Sequence, residues 1–171
     1  MIYSPEEDSY LLKEQVDKFV KENSPKKILD VGSGSGFQIK NLNGDLTLVD
    51  INSEAIKHLK KKFPKAKVIH SDLFSKISKK EKFNLIIFNP PYLPEDKLED
   101  KESKLATTGG KLGSEVINKF LKQVKNYLTS EGKILLLTSS LTKEINWQGF
   151  KKKKLASKKL FFEELYVWEL N

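Results

Sequence analysis

The sequence predicts an α/β fold, a mostly parallel seven-stranded sheet closed by a C-terminal antiparallel hairpin. Three observations carry that prediction. Short apolar, β-branched runs alternate with amphipathic stretches, as strands buried on both faces of a parallel sheet require. The first run opens into a glycine-rich turn and the second closes on an acid, the arrangement that sets a ligand at the carboxyl ends of parallel strands. The last two runs are separated by a turn alone, which suits an antiparallel pair.

Taken in order, residues 4–24 predict a first helix. Ser4 suits the N-cap, Pro5 the first helical position and Glu7 the far side of a capping box. Leu12, Val16, Phe19 and Val20 form one apolar stripe, which Asn23, Ser24 and Pro25 end. The start of this helix precedes the first strand and is positioned to cover a ligand there. The first strand, Lys27–Val31, runs into Asp30-Val31-Gly32-Ser33-Gly34-Ser35-Gly36. Alternate glycines let the backbone turn tightly and approach a ligand with no Cβ in the way. A short helix over 37–42 and a second strand over 46–49 follow. Asp50 then stands where a carboxylate meets ribose hydroxyls.

Asn52 caps a helix carrying Ala55, Ile56, Leu59 and Phe63, with Pro64 as its stop. Lys67–His70 is a third strand. Asp72 beyond it is placed to accept an adenine amine, with Leu73 and Phe74 as apolar wall. The plain alternatives are a flexible turn for the glycine loop and a turn-forming acid for Asp72. Phe83–Phe88 is the central strand. It stops at Asn89 because Pro90 and Pro91 have no N–H for a ladder, and proline keeps the preceding residue out of the helical region. An amide and two prolyl carbonyls are therefore held rigidly where a buried strand ends, with Tyr92 just beyond.

Residues 93–112 form a long charged segment, expected as a substrate-side lid. Val116, Ile117, Phe120, Leu121, Val124 and Leu128 recur at helical spacing. Residues 133–138 read as a fifth strand and 141–147 as a short helix at most. Residues 150–157 and Glu164–Leu170 read as the hairpin. No linker divides residues 1–171, so one domain is expected.

Composition narrows the chemistry. The 171 residues contain no Cys and two His, His58 and His70, so disulfides, thiolate metal sites and a His-based metal cluster or triad are not expected. No stretch is long and apolar enough to span a membrane, and the N-terminus is not a signal peptide, so a cytoplasmic protein is expected. Net charge is +8, and all 31 basic residues are Lys. Such a field attracts anionic partners, yet bidentate phosphate and base readout relies on Arg, so a solvated lysine surface is favoured over a nucleic-acid footprint.

The glycine spacing selects between cofactors. Dinucleotide folds use G-x-G-x-x-G with a pyrophosphate at a helix N-terminus. Here the spacing is G-x-G-x-G, two positions after Asp30. That carboxylate would repel a pyrophosphate and attract the ammonium group of S-adenosyl-L-methionine. An NAD-dependent oxidoreductase is disfavoured on the same ground.

These motifs, in this order, resemble a class I methyltransferase with a Rossmann-like fold. More closely, the chain resembles the HemK-like release factor glutamine methyltransferases in their short archaeal and eukaryotic branch. The markers are Tyr-Ser-Pro-Glu-Glu-Asp-Ser at 3–9, the loop from Asp30 to Gly36, Asn89-Pro90-Pro91-Tyr92, Gly-Gly-Lys-Leu-Gly-Ser-Glu at 109–115, and Phe162-Glu163-Glu164-Leu165. The Asn-Pro-Pro-Tyr quartet is shared with nucleobase amino-methylating enzymes; the opening motif and the Gly-Gly segment narrow the family. The resemblance implies that Asp30, Gly32, Asp50, Asp72 and Leu73 hold S-adenosylmethionine, with Ser33 and Gly34 in the glycine loop, Ser9 from the first helix, and Asn89 beside them. It implies no metal. Its short members work with a small zinc-binding activator protein added at the third-strand edge, here Lys67–His70; its bacterial members carry an N-terminal helical domain not found here.

The expected reaction is methylation of the glutamine amide of a Gly-Gly-Gln tripeptide in a class I peptide release factor. Asn89 Oδ1 and the Pro90 carbonyl would each accept one N–H of the planar amide, Pro91 would stiffen the turn, and Tyr92 would lie against the amide. The alternative substrate is an exocyclic amine of adenine or guanine in DNA or RNA, which the lysine surplus favours and the absence of Arg disfavours. A non-catalytic cofactor-binding subunit is the third reading; an intact Asn89 to Tyr92 speaks against it.

Overall fold

A computed structural model of the chain describes residues 4–95 and 107–171. Residue 3 and the stretch 96–106 of the expected lid lie outside the described residues. The strands are β1 (Lys27–Val31), β2 (Asp45–Asp50), β3 (Lys67–His70), β4 (Phe83–Phe88), β5 (Leu128–Ser139), β6 (Lys152–Lys159) and β7 (Glu164–Leu170). They form one sheet in the order β3-β2-β1-β4-β5-β7-β6. β1 to β5 are mutually parallel, and β7 runs antiparallel to both β5 and β6. Among the described residues the helices are α1 (Glu7–Asn23), α2 (Ser53–Lys62) and α3 (Glu115–Val124).

Side chains alternate across a strand, so each strand supplies two core layers. Ile28, Leu48, Leu85, Ile87, Leu135 and Leu137 pack with Leu12 and Val16 of α1 and Leu59 of α2. Leu29, Val31, Val49, Ile86, Phe88, Ile134 and Leu136 pack on the other side with Ile117, Phe120, Leu121 and Val124 of α3. Full burial of each such side chain contributes about 2 kcal/mol. The alternation has a functional consequence. On the α1 side, the residue following Ile28 on β1 is Asp30, that following Leu48 on β2 is Asp50, and that following Ile87 past β4 is Asn89. Three polar residues are thereby delivered to one end of one layer.

Several expected boundaries move. The first helix begins at Glu7, with extended Glu6 as N-cap and no side-chain cap, so the Ser4 to Glu7 capping box does not form. Pro5 instead lies on the cavity wall described below. The expected helix at 37–42 is a series of turns closed by i to i+3 bonds, Lys40 N–H to Phe37 O at 3.3 Å and Leu42 N–H to Ile39 O at 3.1 Å. Gly36 (φ +71°) and Asn41 (φ +65°) bracket that stretch with left-handed backbone, leaving too few residues to nucleate a helix.

Leu128 is not on α3. A 3-10 turn at Lys125–Tyr127 intervenes, its Tyr127 stacked on Phe74 at 4.5 Å, and Leu128 turns extended to begin a β5 longer than expected. Residues 141–147 contain no helix. Glu144 sits at φ +58°, and Asn118 fastens the segment to α3 through Glu144 O (3.1 Å) and Asn146 N–H (2.7 Å). Phe150 closes a turn on Trp147, so β6 starts two residues later than expected.

Candidate active site

A cavity of about 300 Å³ opens at the carboxyl ends of β1, β2 and β4, where open parallel sheets bind ligands. The glycine loop forms one wall, residues 50–52 and 71–73 the next, and Phe88, Asn89, Pro90 and Pro91 the third. Pro5, Asp8 and Ser9 cover it from the start of α1.

The loop after β1 is held by its own polar groups. Gly32 adopts φ +63°, which a side chain disfavours, and an added Cβ would stand 3.4 Å from the Phe88 ring. The Ser33 hydroxyl donates to Asp30 O (2.8 Å) and accepts from Val49 N–H (3.1 Å), so it ties β1 to β2. Asp50 accepts from Gly34 N–H through Oδ2 (2.7 Å) and from Asn52 N–H through Oδ1 (2.8 Å). A carboxylate has about four acceptor sites, so this leaves capacity for a ligand hydroxyl.

Asp72 reaches the cavity, but its Oδ2 is also held at 2.5 Å by Lys119 from α3. Leu73 lies on the wall with φ +47°, a conformation costing a branched residue about 1–2 kcal/mol. The Ser71 hydroxyl, donating to Leu73 O at 3.0 Å, helps to hold it there. Such strain is commonly retained where a wall must have one shape.

The turn after β4 is braced from beneath. Tyr92 and Leu93 N–H both donate to Thr107 O, and the Thr142 hydroxyl donates to Tyr92 O at 2.9 Å. The Gly-Gly segment explains itself here: a Cβ on Gly109 would lie 2.1 Å from Gly113 O and 2.6 Å from Pro91 O, so only glycine lets the two backbones meet. The Glu115 carboxylate accepts from Leu112 N–H and closes that segment.

Asn89 is the most informative side chain. Its Nδ2 donates to Asp8 Oδ2 at 3.0 Å, with Ser9 Oγ at 3.4 Å, while its Oδ1 is buried without a hydrogen-bond partner. Asp30 Oδ2 and Gln38 Oε1 are likewise buried and unpaired. Unpaired buried acceptors cost about 1–3 kcal/mol each, and their gathering around one cavity describes a site awaiting N–H donors and positive charge. S-adenosylmethionine fits that demand, with an ammonium, a sulfonium and an adenine amine. A pyrophosphate does not.

Asp30 itself lies beneath the cavity, almost fully buried, and is not on its wall. Burial pushes its carboxyl up to about 8, with the neighbouring Asp50 charge adding to the rise and hydrogen bonding by Ser33 opposing it. Tyr92 is also off the wall, partly buried and packed against both core layers. Among the described residues no cluster of three His, Cys, Asp or Glu could hold a metal, and no helix is long and apolar enough to cross a membrane.

This geometry has relatives. The methyltransferase small domain family matches residues 8–156. The chain belongs to that family. It is 38% identical, over 99% of its length and 92% of the relative's, to a Methanocaldococcus jannaschii protein provisionally named protein N5-glutamine methyltransferase. It is 32% identical over 97% of its length to the release factor glutamine methyltransferase of Borreliella burgdorferi, of which it spans 61%. Among solved structures, the E. cuniculi Mtq2–Trm112 complex, responsible for methylation of the eRF1 translation termination factor, contains a chain that superposes with a TM-score of 0.76 at 24% identity. The match covers 99% of this methyltransferase and 97% of that chain, and it shows that the two share a fold.

Among the wall residues that sequence reading left unassigned are Asp8, Gln38 and Ser71. Asp8 holds the Asn89 amide, Gln38 donates to Ser9 O at 3.1 Å, and Ser71 supports Leu73. Asp8 had a signal: it lies four and eight residues before Leu12 and Val16, on the buried stripe of α1, where a charge is conspicuous. Gln38 and Ser71 sit in irregular turns and gave none.

The burial of Asp30 yields a pH prediction. Its carboxyl titrates near 3.8 unfolded and near 8 folded, so between these values the folded chain keeps a proton that the unfolded chain has released. Its stabilising contribution is fully present below pH 4 and is lost as pH rises through 8, by at most about 1.4 kcal/mol per unit. Urea unfolding of the ligand-free methyltransferase should therefore show a stability decline from pH 5 to 8 that Asp30→Asn flattens. Parallel curves for the two proteins would count against the buried, protonated carboxyl.

Proposed function

We propose that this methyltransferase N-methylates the side-chain amide of a glutamine in a class I peptide release factor, using S-adenosylmethionine. The observation that carries the reading is the buried, unpartnered Oδ1 of Asn89, a residue that lines the cavity together with Pro90 at the rigid end of the central strand. S-adenosylmethionine, when bound, supplies an electrophilic methyl group on a sulfonium sulfur. Asp30, Gly32, Ser33, Gly34, Asp50, Asp72 and Leu73 line or underlie the cofactor side of the cavity, with Ser9 above. With the cofactor bound, Asp50 would take the ribose hydroxyls, Asp72 the adenine amine, and Asp30 would ionise beside the cationic end.

The chain's own work is on the substrate. A carboxamide nitrogen is a poor nucleophile because its lone pair is delocalised into the carbonyl. Asn89 Oδ1 and the Pro90 carbonyl each accept a hydrogen bond from one of its N–H groups, which fixes the nitrogen toward the donor and returns electron density to it. As the N–C bond forms and the methyl's bond to sulfur breaks, the nitrogen releases one of those two protons to water. Holding two reactants in near-attack geometry supplies about 7 kcal/mol or more of the barrier. The acceptors are also preorganised dipoles for the positive charge that grows on nitrogen. Pro91 and the Gly109 contact keep the turn from yielding, and Tyr92 anchors it in the core.

An activator subunit completes the proposal. Among the described residues β3 pairs only with β2, leaving one edge of the sheet open, and an open edge takes an added strand by backbone hydrogen bonding. The similar E. cuniculi structure is of a two-protein complex. A small zinc-binding partner docked along Lys67–His70, in the cytoplasm where translation factors work, is the arrangement this edge supports.

Three outcomes are expected. Incubated with labelled S-adenosylmethionine and release factor, the methyltransferase should label one glutamine. Asn89→Ala should lower transfer by about a hundredfold or more with cofactor affinity by calorimetry held within about threefold. Label found only in DNA or RNA would move the substrate to a nucleobase amine, and equal loss of transfer and affinity would remove Asn89 from its assigned role. Addition of the activator should slow hydrogen exchange at the backbone amides of Lys67–His70; protection elsewhere but not at this edge would refute the docking.

A further inference from the structure

We infer that Asp8 is a positioning residue, the group that decides which way the Asn89 amide faces. A side-chain amide has a donating and an accepting end of nearly the same shape, so packing alone does not choose between them. An ionised carboxylate accepts and never donates. With Asp8 Oδ2 at 3.0 Å, Asn89 must turn its NH2 toward α1, and Oδ1 is left facing away from that bond. Reversed, the amide would set oxygen against carboxylate oxygen in a buried place, where such repulsion is strong. Ser9 Oγ at 3.4 Å does not decide the matter, because a hydroxyl accepts and donates equally well.

The fold has gone to some length to install this charge. Asp8 is 4% exposed, and its Oδ1 accepts from Ser9 N–H at 2.5 Å in the first turn of α1, where the helix dipole favours a negative charge. It occupies the stripe continued by Leu12 and Val16, so the contacts that seat α1 on the sheet also set the carboxylate above Asn89. Packing of the first helix is thereby coupled to the polarity of the acceptor at the end of β4. Asp8 acts through Asn89.

The inference rests on Asn89 as the acceptor of the substrate amide, and a reciprocal exchange separates the two claims. Asp8→Asn replaces the acceptor-only group with one that accepts or donates, so Asn89 is no longer held one way. Methyl transfer to release factor should fall by about tenfold to a hundredfold in kcat, while cofactor affinity and thermal midpoint stay near those of the unaltered protein. Asn89→Asp alone sets two carboxylates against each other and should be at least as impaired. Joined, Asp8→Asn with Asn89→Asp restores a donor facing an acceptor, now with the donor on α1, and again leaves an acceptor oxygen for the substrate. The double variant should exceed the worse single variant by about tenfold or more.

A double variant no better than the product of the two losses would overturn the inference, as would full activity in Asp8→Asn. Asp8→Ser, which removes the same acceptor-only character in less volume, gives a second measure of the loss should Asp8→Asn not fold; full activity there would also overturn the inference. Full activity in Asn89→Ala would instead overturn the underlying reading of Asn89.

Discussion

The central strand cannot continue past Asn89, and the site depends on that stop. Two successive prolines end the ladder, hold their own φ near −65° and keep Asn89 out of the helical region. Because β4 is buried in the middle of the sheet, with β1 on one side and β5 on the other, the stop cannot drift. The stretch around Gly109 then presses against the Pro91 carbonyl, and Thr107 and Thr142 hold Tyr92. A short peptide of the same quartet would sample many shapes. Here the shape is set by the sheet before any ligand arrives, which is what makes an unpaired oxygen at this point useful instead of merely costly.

The same economy runs through the cofactor side. Asp30, Gln38 and Asn89 each keep a buried acceptor without a partner. In a chain with a net charge of +8, the interior of the site is therefore rich in oxygen while the surface is rich in lysine. Among the described residues no lysine lines the cavity, and Lys119 holds one oxygen of Asp72 from α3.

Much of this was legible in the residues. β1, β3, β4 and β7 fall where the apolar runs place them, because such runs have few other ways to be buried, and the Asn52 cap of α2 forms as its side chain predicts. The glycine loop and the Asn-Pro-Pro-Tyr turn declare their places because glycine and proline restrict the backbone locally. What could not be read depends on tertiary contacts. The turns at 37–42 look helical in composition until two left-handed residues bracket them. Leu128 keeps helical spacing from Val124, yet it is claimed by pairing with Phe83. Tyr92, expected against the substrate, is partly buried and packs against both core layers, a placement no local pattern encodes. Asp8 lay between these cases, visible as a charge on an apolar stripe but without meaning until β4 was beneath it.

The account turns on the direction of two hydrogen bonds, and a structure of the protein with S-adenosylhomocysteine and a Gly-Gly-Gln peptide would observe them directly. The account predicts the glutamine amide nitrogen within about 3.2 Å of both Asn89 Oδ1 and the Pro90 carbonyl oxygen. A glutamine bound with its carbonyl oxygen toward an Asn89 that donates would contradict it.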